Sequence, residues 1–370
     1  MNASTKSEST VYPLKTGGQT AGVDIGGANI KWYLSGSPTT DTIPAIAAET
    51  SFAMWRHPER LANQLANDWQ SFERHDIETL AVTMTGELAD CFADRREGVD
   101  HIATHAVQAA KRCGIGRVVF YSTSGRLLNA RQASRDIQGV AAANWHALAS
   151  AVGQWIVSDA ILIDIGSTTT DVISIADGRI ITASRTDHQR LADRSLLYLG
   201  CRRTPICSLV DEINWRGKKV PLMREVFATI DDARLIAGFQ PAVANDCETA
   251  DGRPRDLPSA SRRLARMIGL DIDECSPAEL SDFAAQILAA AGQHLHLALR
   301  VTRQRLADHG VADPTFVLSG HGQELLPRSE TDRSGHTLDL RQVLGAEISR
   351  CAPAWAVARL ADGIGSRTTV

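Results

Sequence analysis

No pair of cysteines in this chain has the two-residue separation of a zinc knuckle or a redox motif. Cys91, Cys113, Cys201, Cys207, Cys247, Cys275 and Cys351 form an odd, widely spaced set, and reduced thiols are expected. The eleven histidines include no His-Glu-x-x-His pattern, and His294 and His296, two positions apart, point to different helix faces, which excludes a shared metal. No apolar stretch approaches the roughly 18 residues of a membrane span before a polar or charged residue breaks it. Charge of one sign is also missing. Lys and Arg total 39 against 43 Asp and Glu, a formal net charge of −4, so bulk attraction to nucleic acid or to an anionic membrane is not expected. Residues 1–20 are polar, with Ser, Thr and Gly and no apolar core; they read as a disordered leader and not a signal peptide, which places the protein in the cytoplasm.

What is present is enough apolar sequence, 44% of 370 residues, to build one or two substantial cores. Thr20 to Leu34 reads as strand, glycine turn, strand. Leu61, Leu65, Trp69 and Phe72 define one face of a helix over Pro58–Phe72. A strand at Thr79–Met84, a helix at Val99–Cys113 and a strand at Arg117–Tyr121 follow, the last leading into Ser122-Thr123-Ser124-Gly125. This alternation belongs to α/β architectures. An alanine-rich helix is expected over Gly139–Val152, then strands at Ala160–Asp164, Val172–Ile175 and Arg179–Ser184, the last two joined by an Asp177-Gly178 turn. Helices at Ser259–Ile268, Pro277–His309 and Ala354–Leu360 and a short strand at Thr315–Leu318 complete the pattern. The boundaries read as a first lobe at 21–155, a second at 156–350 with a substrate-pocket insertion at 198–255, and a C-terminal helix and tail at 351–370.

Two turns have nearly the same shape. Each is opened by an aspartate at a strand end: Asp24-Ile25-Gly26-Gly27-Ala28-Asn29, and Asp164-Ile165-Gly166-Ser167-Thr168-Thr169-Thr170-Asp171. In the first, Gly26 and Gly27 are read as glycines whose permissive φ lets backbone N–H groups converge on an anion. Asn29 adds a donor, and Lys31 a charge if strand alternation turns it to the ligand side. In the second, Gly166 leaves room while Ser167, Thr168, Thr169 and Thr170 supply hydroxyl and amide donors. Backbone amides carry only partial charge, so a di- or triphosphate calls for Mg²⁺, with Asp24, Asp164 and Asp171 as its carboxylates. The pair of turns is read as two related half-domains facing one cleft and gripping one phosphorylated ligand.

The turns resemble the phosphate motifs of the superfamily of actin, Hsp70 chaperones and sugar kinases. Ser319-Gly320-His321-Gly322 stands where that superfamily has its glycine-rich nucleotide-side turn, with Gly320, His321 and Gly322 as candidate ligand contacts. The implied fold is α/β, the actin/Hsp70-like (ribonuclease H-like) two-lobed fold. Closer still, the chain is similar to the hydantoinase A/oxoprolinase branch, in particular to proteins of tetrahydromethanopterin-linked one-carbon transfer. Met84-Thr85-Gly86-Glu87-Leu88-Ala89-Asp90-Cys91-Phe92, Tyr198-Leu199-Gly200-Cys201-Arg202-Arg203-Thr204-Pro205 and Thr249-Ala250-Asp251-Gly252-Arg253 carry that likeness, which spans Ala21 to about Leu360.

The archaeal members of that branch are methanofuran-biosynthesis synthases. They join an aminomethylfuran-methyl diphosphate to γ-glutamyltyramine, forming an aryl ether and releasing diphosphate. The resemblance therefore implies a transferase whose partners are a small furan diphosphate and a phenolic amine, with a homodimer and a monomer both left open. Under it, Glu87 or Asp90 is a candidate base for the phenol, whose free pKa is about 10; Glu87 reads equally as a helix-start residue. Arg202 and Arg203 clamp diphosphate or a carboxylate, or else form a solvated turn. His321 approaches a ring or merely tolerates an irregular backbone. Asp246 and Asp251 are weighed as metal or amine ligands, and Cys91 and Cys247 receive no nucleophilic role. An ATP-dependent small-molecule kinase of the same fold and a nucleotide-responsive assembly protein are the alternatives, and under them ATP is the cofactor.

Overall fold

The computed structural model describes residues 20–36, 44–74, 76–327 and 336–365. The expected leader, apart from Thr20, and the last residues of the expected tail lie outside these. The chain divides into two compact units, one of residues 1–151 with 339–370 and one of residues 152–338. The division falls inside the helix Asn144–Trp155, a few residues before the boundary read from the sequence. The C-terminal segment joins the first unit because its helix Ala352–Gly365 packs on that unit's sheet. Contact there is close enough that a Cβ on Gly22 would collide with the Ala354 carbonyl.

In the first unit β1 (Thr20–Ile25), β2 (Asn29–Leu34) and β3 (Ile46–Ser51) run antiparallel, while β4 (Thr79–Met84) and β5 (Arg117–Tyr121) add to β1 in parallel. With the short β6 (Leu127–Leu128) the order is β3-β2-β1-β4-β5-β6. All six residues of β1 are buried, as expected of a central strand covered on both faces. Beneath the sheet Trp32 packs edge-on to Phe72, ring centroids 5.7 Å apart, and its indole N–H donates to Asp68 at 3.0 Å.

The second unit repeats the plan. β7 (Ala160–Ile165) pairs antiparallel with β8 (Thr170–Ala176), which also carries the short β9 (Arg179–Ile180) and β10 (Leu196–Leu197). A hairpin of β11 (Glu212–Trp215) and β12 (Lys218–Pro221) stands apart. β13 (Thr315–Gly320) lies parallel to β7 on its other side, and β14 (Thr337–Asp339) follows, giving the order β10-β8-β7-β13-β14. A central strand, an antiparallel return after a tight turn and a later strand added in parallel constitute the ribonuclease H-like plan of the actin-like α/β fold, present here twice.

Several elements differ from the expectation. The alanine-rich helix is broken into Ile137–Val140 and Asn144–Trp155 at Ala142, whose φ is +46°. The third strand of the 160–184 meander is short, Arg179–Ile180, and its last bond to β8 is from the Ile181 N–H to the Ser174 carbonyl at 3.2 Å. The region from Cys201 to Pro221, read as an interrupted basic stretch, contains the β11–β12 hairpin, and a helix Ile230–Ile236 follows it. Both pack with the helix Leu257–Arg266 and the long helix around a core of Ile206, Ile213, Trp215, Leu264 and Phe283. The long helix runs Pro277–Asp308. It starts on a capping box in which the Ser276 N–H donates to Glu279 at 2.8 Å and the Glu279 N–H to the Ser276 hydroxyl at 3.3 Å.

Candidate functional site

The two turns singled out in the sequence share one hydrogen-bond pattern. In the first unit the Gly26 N–H donates to the Asn29 carbonyl at 2.9 Å; in the second the Gly166 N–H donates to the Thr169 carbonyl, also at 2.9 Å. Between them, Gly27 and Ala28 in one turn and Ser167 and Thr168 in the other donate to no backbone carbonyl among the described residues. The residue before each glycine accepts from the chain leaving the parallel neighbour: Ile25 from the Thr85 N–H at 3.0 Å, and Ile165 from the His321 N–H at 2.9 Å. Two adjacent uncommitted N–H groups on a tight turn form a small concave donor set for an anion.

The expected reason for the glycines needs correction. Gly26, Gly27 and Gly166 are not among the residues with positive φ. Gly26 is required by close approach, because a Cβ there would lie 2.8 Å from the Asn29 carbonyl, whereas nothing lies within 4 Å of a Cβ on Gly27. Gly320 is the glycine that uses its freedom: φ is +82°, and a Cβ would collide with the Ile165 carbonyl and sit 2.9 Å from Asp164 Oδ1.

Around the first turn, Glu49, Lys31, Asp24 and Thr83 stand in one row across β3, β2, β1 and β4, so Lys31 and Asp24 share a face. Asp24 is buried and Lys31 half-buried. Cys351 lies near this row, its thiol donating to the Ala48 carbonyl at 3.3 Å. Burial pushes that thiol up to about 11, with Lys31 pulling the other way. Asn29 keeps its side chain near Ser51, whose hydroxyl donates to Oδ1 at 3.4 Å. The first turn also meets the loop after β4, since a Cβ on Gly86 would be 2.9 Å from the Gly26 carbonyl. Glu87, in that loop, is 1% exposed, while Asp90 is on the surface. The two candidate bases thus have opposite environments.

Around the second turn three sequence segments come together. Cys201 donates its N–H to the Gly166 carbonyl at 2.9 Å, and Arg202 and Arg203 donate theirs to the Ser167 carbonyl at 3.1 and 2.9 Å. Gly200 presses so closely on the turn that a Cβ would overlap the Thr168 nitrogen and lie 2.5 Å from the Ser167 carbonyl oxygen. Gly322 lies against the same place, its would-be Cβ 2.7 Å from that of Cys201. Thr170 is a tether: its buried hydroxyl donates to the Leu199 carbonyl at 2.6 Å. Asp164 is half-buried and stands opposite Asp171 and Ser319.

Asp171, expected beside a metal, has a counter-ion of the protein's own. Arg190, 1% exposed, pairs with it and also donates to the Ser195 carbonyl at 3.1 Å. Burial raises the Asp171 pKa, and Arg190 opposes the rise. Arg202 extends its guanidinium to Asp246 at 2.6 Å, and Arg203 is exposed. Asp251 is held by buried Arg263 at 2.9 Å, so neither Asp246 nor Asp251 is the uncommitted carboxylate that a metal or amine would take. Cys247 is exposed, and the half-buried Cys91 thiol donates to the Met54 carbonyl at 3.5 Å.

One organising residue was not visible in the sequence. Arg234 is buried on the helix Ile230–Ile236 and donates to the Cys201 carbonyl at 2.8 Å and the His321 carbonyl at 3.1 Å, while pairing with Glu324. It ties two of the three converging segments together. The only signal was a capping box at Thr229 and Asp232, which marks a helix start but not its burial.

Among the described residues no group of three or more His, Cys, Asp or Glu side chains is placed to hold a metal ion. A hard cation that arrives with phosphate oxygens and keeps water ligands needs only one or two protein carboxylates. Asp164, half-buried beside the Gly320 turn, fits that demand, and Asp24 fits it at the first turn.

A hydantoinase/oxoprolinase family model matches residues 78–362. The chain is 31% identical over 345 residues to the (4-{4-[2-(gamma-L-glutamylamino)ethyl]phenoxymethyl}furan-2-yl)methanamine synthase of Methanocaldococcus jannaschii, covering 92% of this chain and 96% of that protein. It is 29% identical over 213 residues to the synthase of the same name from Methanococcus vannielii, covering 56% and 93%. Among solved structures, nucleotide-free acetone carboxylase aligns over 92% of this chain and 70% of its own with a TM-score of 0.49 and 10% identity.

Proposed function

This chain belongs to the hydantoinase/oxoprolinase family, and from that premise we propose that it is a transferase of methanofuran-type cofactor assembly. It condenses an aminomethylfuran-methyl diphosphate with a γ-glutamyltyramine-like phenol: the carbon–oxygen bond to diphosphate breaks, an aryl ether forms, and diphosphate and the phenolic proton leave. The observation that carries the proposal is the near full-length match to the Methanocaldococcus jannaschii synthase, at 31% identity over 92% of this chain.

The second turn suits a leaving group. The Ser167 and Thr168 N–H groups, with the Ser167, Thr168 and Thr169 hydroxyls, receive diphosphate oxygens whose charge grows as the bond to carbon lengthens. Arg202 and Arg203 are fixed to the turn through their backbones; Arg203 carries its exposed guanidinium at the turn's edge, while that of Arg202 is paired with Asp246. Asp164 would hold Mg²⁺, which when bound neutralises part of the diphosphate charge. Asp171 and Arg190 keep the strand after the turn in place. Departure of diphosphate leaves positive character on a methylene that the furan ring delocalises, and the phenol oxygen attacks that carbon.

The test is incubation of the protein and Mg²⁺ with the furan diphosphate and γ-glutamyltyramine, without nucleotide. The proposal expects ether and diphosphate in equal amounts, and loss of both in Asp164→Asn. ADP formed from ATP with a phosphorylated product would instead establish a kinase, and tight nucleotide binding without either product an assembly role.

A further inference from the structure

The second unit carries an open cavity of about 900 Å³ at the end of β13 opposite Gly320. Its floor is Phe316, roughly 13 Å along the strand from Gly320 at the usual rise per residue, so it is separate from the second turn. Arg303 of the long helix lies over the Phe316 ring, 5.0 Å from its centroid. Leu297 and Val301, one turn apart on that helix and 43% and 38% exposed, form an apolar wall, with Arg300 between them.

Arg194 completes the lining, and its backbone is held in an unfavourable conformation. Its φ is +60°, a region that costs a non-glycine residue on the order of 1 kcal/mol. The strain is imposed by the preceding residue: Asp193 accepts from the Ser195 N–H at 3.0 Å, its hydroxyl at 2.6 Å, Thr182 at 2.9 Å and Arg305 at 3.3 Å. A long cationic side chain is therefore presented from a rigid turn where glycine would be at ease. Among the described residues neither Arg194 nor Arg300 has an ion pair or a side-chain hydrogen bond. Asp313 is the sole carboxylate of the described lining, against three arginines. Arg194 and Arg300, two exposed guanidinium groups with no carboxylate partner among the described residues, present positive charge along the cavity.

We propose that this cavity is an accessory binding site for a small organic anion, bearing carboxylate or phosphate groups on an apolar body, distinct from the phosphate turn. The volume suits a ligand of cofactor or metabolite size. The carboxylate and phosphate ends meet Arg194 and Arg300, and the apolar body lies along Leu297 and Val301. Binding is weakened by salt, since the arginines are solvent-exposed.

The experiment is isothermal titration of the full chain with 1-naphthylacetate and 1-naphthyl phosphate at low and physiological salt. The variants are Arg194→Gly, which suits the left-handed backbone and so preserves the fold, and Arg300→Gln. The expected result is one saturable site per chain that accepts at least one probe and weakens about tenfold in each variant. Gly200→Ala, which obstructs the second turn, is expected to leave this site intact, so its result stands apart from that of the proposed reaction. Preference for 1-naphthyl phosphate would identify a phosphorylated ligand, and preference for 1-naphthylacetate a carboxylate one. No saturable binding, or binding unchanged in both arginine variants, would overturn the proposal.

Discussion

Gly200→Ala isolates the second turn with one methyl group. Gly200 is outside the positive-φ set, so alanine meets no backbone penalty there and its effect is steric. The new Cβ would overlap the Thr168 nitrogen and lie 2.5 Å from the Ser167 carbonyl oxygen. Both atoms are backbone and cannot swing aside as a side chain would, and the Ser167 carbonyl is held besides by the Arg202 and Arg203 N–H groups. Relief requires the turn and the 199–204 segment to part, at about 1–3 kcal/mol for overpacking of this kind. If that displacement falls on the anion-binding N–H groups, affinity for Mg²⁺-diphosphate drops by about tenfold to a hundredfold. Titration calorimetry with inorganic diphosphate reads this directly, with Gly116→Ala as control because nothing lies within 4 Å of a Cβ there. Wild-type diphosphate affinity in Gly200→Ala would refute the assignment of this turn as the phosphate grip.

Other perturbations probe separate parts of the molecule. Arg263 is fully buried and bonded to Asp232 at 2.6 and 2.9 Å; Arg263→Ala is expected to cost about 3–5 kcal/mol by leaving that carboxylate uncompensated, seen as a lower urea midpoint. Burial lifts Asp362 to about 6, so the folded state favours its protonated form and stability falls as pH rises from about 4 to 6. Asp362→Asn should therefore be more stable than wild type at pH 7, with the gap closing towards pH 4 in urea titrations. Exposed Cys247 should be alkylated by iodoacetamide at pH 8 well before buried Cys351, whose thiol is pushed up to about 11; peptide mass mapping with time gives the order. Glu87→Gln should lower turnover by about a hundredfold or more and alter the acid limb of the pH–rate profile if that carboxylate accepts the phenolic proton, whereas a helix-start role predicts an unchanged profile.

The sequence showed the fold where hydrophobic alternation and turn chemistry agree. Thr79–Met84 and Arg117–Tyr121 appear with the bounds read from the chain, because buried parallel strands are nearly all apolar. The two aspartate-led turns were legible as a repeat, and their shared hydrogen-bond pattern accounts for the repetition. The role of the glycines was not: close approach and permissive φ require the same residue, and only coordinates separate Gly26 from Gly320. Ile46–Ser51 was overlooked because an edge strand is half-exposed and its Ala47-Ala48-Glu49 carries little β signal. The region 198–255 was opaque because buried arginine–carboxylate pairs set its structure, as in Arg255–Asp231, Arg263–Asp232 and Arg234–Glu324, and Arg190–Asp171 does the same beside the second turn. A charged side chain reads as solvated unless its distant partner is known, which is why Asp171 looked like a metal ligand and Arg234 did not stand out at all.

The central claim is that the phosphate turn holds a leaving group and that attack occurs at carbon. It is tested most directly by placing heavy oxygen in the phenol of γ-glutamyltyramine and following it by mass spectrometry through a reaction with the furan diphosphate and Mg²⁺. The account predicts the label in the ether bridge and none in the released diphosphate. Label in a phosphate ester or in a phosphate product would mean attack at phosphorus, and would contradict it.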